Sequence, residues 1–270
     1  MHDVLMIHLR TILINILLQI RIVLALQDRD LLEKSGKGVM GAFGVMLEPL
    51  ILIATLLFFR LALRLKGIDL VNPVIWMSIG VCLFKLFLDV GLKSLSGVKK
   101  SQDVFFYRRI RPLDTILASA MVATRIYGTV LTLIILLVWA FTWQVKFDNP
   151  GEAVVVVLFT VLLALGVGVS ALVIGHRLPW FKLAVRFGLK RLLLWTSGVF
   201  YAVYLLPGPA RPFVTWNPLI HSVELFRHSI NIAYPVPGIS LSYLSACALL
   251  TCGFSLLFYS LNEDLLISDD

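Results

Sequence analysis

The sequence predicts an all-α polytopic membrane protein: six transmembrane helices, an N-terminal interfacial amphipathic helix, and re-entrant outer half-helices between the fifth and sixth spans. Three observations predict it. Of 270 residues, 59% are hydrophobic and only 15% charged, with a mean hydropathy of +0.91, whereas a soluble domain is about 45–50% apolar and about a quarter charged. The apolar residues fall in long blocks, and a hydrocarbon core of roughly 30 Å takes about 20 helical residues to cross. No run of about ten residues alternates in polarity as a barrel strand would, and within lipid the helix is the other way to pair every backbone amide.

The N-terminal segment 1–37 comes first. Leu5, Leu9, Ile12, Leu13, Ile16, Ile20 and Val23 fall on one half of a helix, with His8, Arg10, Asn15, Gln19 and Arg21 on the other. An apolar face opposite a mixed one suits a helix lying in the membrane interface; a seventh span is the alternative. Asn15 and Gln19 interrupt the run, and there is no small-residue cleavage pattern of a signal peptide. The transmembrane domain follows as 38–261, with spans at 39–62, 73–96, 115–141, 153–175, 192–206 and 239–261. The fifth is short: fifteen residues reach about 22 Å, so it needs an extension through 189–191 or a return into the membrane beyond Pro207. A short acidic tail, 262–270, closes the chain.

Orientation follows from Lys and Arg, which are retained on the cytoplasmic side of short loops. Arg10, Arg21, Arg29, Lys34, Lys37, Lys99, Lys100, Arg108, Arg109, Arg111, Arg177, Lys182, Arg186, Lys190 and Arg191 lie on one side; Arg60, Arg64, Lys66, Lys146, Arg211 and Arg227 lie on the other. Fifteen against six puts both termini in the cytoplasm. The net charge of +8 then reads as a surface for lipid headgroups and a partner protein rather than for nucleic acid. Cys82, Cys247 and Cys252 sit inside apolar blocks and read as small buried residues.

Ionisable residues at membrane depth are costly and face protein or water. Glu48 precedes Pro49 in the first span and has no basic residue within one turn. Lys85, Asp89 and Lys93 stand four apart on one face of the second, a spacing that neutralises opposite charges, and Arg125 lies in the third. Beyond the fifth span, 207–238 is rich in Pro and Gly. Asn217-Pro218 there is a helix start, with a capping amide followed by proline at the first helical position. The helix it opens carries His221, Glu224, Arg227 and His228. His221, Glu224 and His228 match neither zinc-protease spacing and read as a hydrogen-bonded cluster that fixes the half-helix.

The chain carries no nucleotide site of its own. Its one Gly-Lys pair, Gly36-Lys37, is followed by Gly38 and has Leu31 where a Walker motif needs glycine. Work must come from a partner, unless the chain is a passive channel.

Three segments resemble one family. They are Met40-Gly41-Ala42-Phe43-Gly44-Val45-Met46-Leu47-Glu48-Pro49-Leu50, Arg111-Pro112-Leu113-Asp114-Thr115-Ile116-Leu117-Ala118, and Trp216-Asn217-Pro218-Leu219-Ile220-His221-Ser222-Val223-Glu224-Leu225-Phe226-Arg227. They are similar to segments of the transmembrane subunits of ABC exporters that carry capsular polysaccharide across the Gram-negative inner membrane. Phe43-Gly44 departs from the tryptophan many relatives have near that point. The resemblance implies a homodimeric channel with two separate ATP-binding subunits, which hold the ATP and magnesium; this chain binds no cofactor. It also implies a lipid-linked glycan as cargo, and a periplasmic adaptor or co-polymerase and an outer-membrane polysaccharide channel as further partners. Arg108, Arg109, Arg111 and Asp114 would dock the ATP-binding subunit. Glu48, Trp195, Phe200, Tyr201, Tyr204 and Trp216 would line the glycan pathway, since aromatic faces stack on sugar rings; an interfacial aromatic belt is the plainer reading. Asn217, His221, Glu224 and Arg227 would form the outer half-helix. Sibling exporters of O-antigen or teichoic acid, and an intramembrane transferase using His221 and Glu224, are the rival readings.

Overall fold

The computed structural model describes residues 21–30, 39–62, 70–92, 112–143, 145 and 147–262. Most of the expected interfacial helix, the basic loop at 99–111 and the acidic tail lie outside the described residues.

Among the described residues all regular structure is helical, and five helices are long and apolar enough to cross a membrane. In chain order, α1 covers residues 21–30, α2 Val39–Ala62, α3 Pro73–Gly91, α4 Pro112–Thr142 and α5 Pro150–Arg177. A broken segment follows, built of α6 Pro179–Ala184, a π-helical turn Val185–Leu189 and α7 Lys190–Thr196. Two 3-10 turns, Val203–Leu205 and Gly208–Ala210, then lead through the single turn α8 Pro212–Thr215 to α9 Pro218–Ile230 and the last long helix, α10 Leu241–Ser260. The membrane-capable helices are α2, α3, α4, α5 and α10.

Their ends follow local chemistry. Prolines open α3 and α5 at a position where the missing N–H is not needed. Asn72 and Asn149 precede them, accepting from the amides of Val74 and Glu152 at 2.9 and 3.2 Å, as asparagine at a helix start favours. Ser240 caps α10 in the same way.

Helix α3 is the centre. Its apolar window is 83% buried, against 17% for α2 and α10, and it packs on α2, α4, α5 and α9. The exposed flanks of α2 and α10, with Ile51, Phe58, Leu61, Leu250 and Phe254, are hydrophobic, as lipid-facing surfaces must be. Small residues set the closest crossings. A Cβ on Gly166 would stand 2.8 Å from the backbone nitrogen of Cys252, and one on Gly168 2.8 Å from the Val90 carbonyl oxygen. Glycine lets backbones approach that closely in a membrane bundle.

The segment expected as a fifth span does not run as one helix. It ends at Thr196, and the chain turns at Ser197-Gly198, where Gly198 has φ +70°, a conformation glycine adopts without steric penalty. Pro207, Pro209 and Pro212 then withhold the amides that a continuing helix would need. Phe200, Tyr201 and Tyr204 therefore lie in turns, and only Trp195 is on helix. Of the cysteines, Cys82 alone is buried; Cys247 and Cys252 are half-buried on α10.

Candidate functional site

The site is built where the broken segment, α9 and α3 meet. Asn217 starts α9. Its side-chain oxygen accepts from the Leu219 amide at 3.0 Å, and its amide nitrogen donates to the Thr196 hydroxyl at 2.8 Å. One residue thus caps α9 and ties it to the end of α7.

One turn on, His221 is almost wholly buried and bonds backbone on both ring nitrogens. Nδ1 accepts from the Ser240 amide at 3.0 Å, which leaves Nε2 to donate to the Thr215 carbonyl at 2.7 Å. That pattern specifies the neutral imidazole with its proton on Nε2. The ring lies 4.6 Å from that of Tyr243 on α10. His221 therefore joins the two ends of the outer segment, and its ring nitrogens are taken by backbone rather than by Glu224, unlike the expected hydrogen-bonded cluster of His221, Glu224 and His228.

The charged cluster is instead Glu224 with Arg227, three residues apart and both fully buried, at 2.8 Å. Arg227 also donates to the Gly198 carbonyl at 2.9 Å and to the Trp76 carbonyl at 3.2 Å through Nη2. Its guanidinium lies 3.4 Å from the centre of the Trp76 ring, and Trp76 donates from its indole nitrogen to the Tyr234 hydroxyl at 3.1 Å. An arginine fork satisfies several acceptors in one plane and stacks on an aromatic face, which a lysine cannot do. Gly80 makes room: a Cβ there would meet the guanidinium at 2.8 Å. Arg227 thus fastens α9, α3 and the Ser197-Gly198 turn to one another as a buried post. The Arg60 guanidinium sits 5.8 Å from the same tryptophan ring. Counted from sequence as outer-loop charges, Arg60 and Arg227 are both buried.

Beside the post lies a more exposed aromatic surface. Trp195 and Trp216 are 64% and 56% exposed. Trp195 is 5.5 Å from the Phe200 ring, and its carbonyl accepts from the Tyr201 hydroxyl at 2.7 Å. The Trp216 carbonyl accepts from Tyr243 at 2.6 Å. Tyr204 packs edge-on against Tyr234 at 5.3 Å, facing the post rather than the open surface.

Glu48 stands apart from these groups. Its carboxylate, on α2, pairs with Lys85 of α3 while remaining 63% exposed. The pairing partner comes from a neighbouring helix, and the stripe of Lys85 with Asp89 divides: Asp89 accepts from the Tyr127 hydroxyl of α4 at 3.0 Å. Asp114 is buried in the first turn of α4. Arg108, Arg109 and Arg111 lie outside the described residues. Trp76, Tyr234 and Gly198 were not readable as site residues, because an isolated tryptophan inside an apolar block carries no local signal of a cation 151 positions away.

No family model matches the chain. It is similar to curated proteins over most of its length. A polysialic acid transport protein, KpsM, of Escherichia coli is 29% identical over 90% of this chain and 94% of its own. The capsule polysaccharide export inner-membrane proteins BexB of Haemophilus influenzae and CtrC of Neisseria meningitidis are each 23% identical, over 79% and 82% of this chain and 80% and 83% of their own. Five of its helices are membrane-capable, and the chain is a homologue of capsule polysaccharide transport proteins named as inner-membrane proteins.

Proposed function

We propose that this chain is the membrane-spanning subunit of an ATP-driven exporter that moves lipid-linked capsular polysaccharide from cytoplasm to periplasm. The observation that carries the reading is the similarity over 90% of the chain to a polysialic acid transport protein. Two copies form the conduit, with both termini cytoplasmic. ATP is hydrolysed on two copies of a separate subunit, docked near the basic loop that ends at Arg111 and Asp114. A periplasmic adaptor and an outer-membrane channel take the polymer onward.

In this reading α6, the π turn and α7 rise from the cytoplasmic face. The chain then re-enters as α9, so the broken segment and α9 replace a plain fifth span. Non-helical backbone at that depth is tolerated where it is buried in protein or lines water, and the hydrogen bonds that Arg227 makes to the Gly198 and Trp76 carbonyls support it. Trp195 and Trp216, exposed beside that network, offer flat faces on which successive sugar rings slide. His221 and Glu224 are occupied by backbone and by Arg227, which argues against their serving a transferase.

Deleting the gene in its native host and locating the polymer by electron microscopy and glycan extraction tests the reading. Polymer accumulating inside the inner membrane, with export restored by the wild-type gene, is the expected result. Unchanged surface glycan overturns it, and absence of any polymer transfers the assignment to a synthetic enzyme.

A further inference from the structure

The outward face of α4 carries polarity where a lipid-facing helix should have none. Arg125, Gly128, Thr129 and Thr132 are all exposed, and their spacing sets them on one side of the helix. Above and below them that side is apolar, with Leu117 and Met121 toward the start of α4 and Leu133 and Leu136 toward its end, 40–52% exposed. Depth follows from helix geometry. Trp139 and Trp143, 45% and 75% exposed, belong to the headgroup level where such rings collect. Arg125 precedes Trp139 by fourteen residues, about 21 Å along the axis, and Thr132 precedes it by about 10 Å. Both therefore lie within a hydrocarbon core of roughly 30 Å.

The chain itself uses none of these four groups. Arg125 makes no hydrogen bond or ion pair with a described residue. Thr124 and Thr142, on the same helix, donate to the carbonyls of Ala120 and Val138 at 2.8 and 2.7 Å; the hydroxyls of Thr129 and Thr132 have no such bond among the described residues. A Cβ on Gly128 would meet nothing within 4 Å. No described neighbour requires glycine there, although glycine weakens a helix interior. An unpaired guanidinium in hydrocarbon is costly, and acyl chains offer it neither an anion nor an acceptor. In a membrane, a glycine with hydroxyls beside it admits the backbone of another helix. The cation adds the need for a carboxylate, which an arginine fork takes bidentately.

A second copy of the chain does not supply that carboxylate. Among the described residues, those inside the membrane-capable helices are Glu48, paired with Lys85, and Asp89, buried and bonded to Tyr127. Asp114 and Glu152 sit in the first turns of α4 and α5. We propose that this face of α4 seats a membrane-spanning helix of a different protein, which carries an aspartate or glutamate opposite Arg125 and crosses closely over Gly128. Thr129 and Thr132 bond along the seam. The inference rests on the membrane location and not on the exported cargo.

The test works in membranes of the native host. A benzophenone amino acid replaces Met121 or Leu133, which flank the stripe, or Leu250 on α10 as a control. Irradiation is followed by mass spectrometry of the cross-linked product. The expected product at Met121 and Leu133, absent at Leu250, is a protein with a span that bears an acidic residue. R125Q and G128L should each lower its yield about tenfold, the upper end for one interhelical polar contact. Neither should lower the thermal midpoint of the purified chain, because a Cβ at Gly128 meets nothing and Arg125 pairs with no described residue. R125D, combined with arginine in place of the acidic residue on the captured helix, should restore the product. Cross-links to lipid alone overturn the proposal, and so does a yield that R125Q leaves unchanged. A product made of two copies of this chain overturns the choice of partner. Since cross-linking needs no transport, these outcomes separate from any failure of the export reading.

Discussion

Removing the Glu224 carboxylate leaves Arg227 buried with a full charge and one acceptor fewer. Both side chains are 0% exposed and 2.8 Å apart, so water cannot replace the lost partner. Breaking a buried pair from one side costs about 3–5 kcal/mol. The carbonyls of Trp76 and Gly198 and the tryptophan face remain with Arg227, which places Glu224→Ala at the lower end, near 3 kcal/mol. Arg227→Ala loses those contacts too, leaves the carboxylate uncompensated, and belongs at the upper end, about 5 kcal/mol. The double variant Glu224→Gln, Arg227→Met removes both charges while keeping volume, and such replacements are often neutral. Buried Cys82, on the same helix as Trp76, supplies the assay: with the half-buried Cys247 and Cys252 replaced by serine, reaction with a thiol-activated dye on heating reports release of α3. In a chain of this size about 3 kcal/mol corresponds to a midpoint lower by about 10 °C. Both single variants should fall by that much or more, and the double should recover most of the loss. A double variant no better than the worse single, or a Glu224→Ala shift under about 2 °C, refutes the post as the element that holds these helices.

Other outcomes follow from single positions. Gly198→Ala places a Cβ on a backbone at φ +70° and 2.9 Å from Ile220; it should destabilise by about 1–3 kcal/mol, read by the same thermal assay. Gly166→Val presses α5 against the backbone at Thr251 and Cys252 and should lower the yield of folded protein while raising Cys252 reactivity, since overpacking costs about 1–3 kcal/mol. Asn217→Ala removes both a cap and the link to Thr196 and should cost about 1–2 kcal/mol, of which Asn217→Asp restores the cap. Trp195→Ala with Trp216→Ala should slow polysaccharide appearance at the cell surface severalfold, because an aromatic contact is worth about 0.5–1.5 kcal/mol. Their thermal midpoints should stay near wild type, since both rings are more than half exposed.

Much of the fold could be read from the chain because lipid imposes a coarse and unambiguous length rule. The expected spans at 39–62, 115–141 and 153–175 lie within helices of the structure, those at 73–96 and 239–261 overrun the helices Pro73–Gly91 and Leu241–Ser260, and α9 begins where Asn217-Pro218 predicts. The fifth block misled because length and hydropathy count residues without asking where amides bond. Leu192 to Leu206 is apolar enough, but Gly198 and the following prolines bend it, and its carbonyl at Gly198 serves Arg227. The partners of the charges were not legible. Glu48 meets Lys85 across 37 positions and Arg227 meets Trp76 across 151; pairing at that range is set by helix packing, and no periodicity within one helix contains it.

The separation of Arg227 from Trp76 also has a biosynthetic consequence. A ribosome delivers α3 to the membrane long before the arginine that braces it exists, and synthesis proceeds at about 5–20 residues per second. Across the intervening 151 residues, roughly ten to thirty seconds at that pace, the Trp76 carbonyl and indole wait without the cation. Once Arg227 arrives, it must find its acceptors at once, since lipid offers none. A chain that stops short of α9 therefore keeps α3 but lacks its fastening, and is distinguishable to cellular proteases from a finished one.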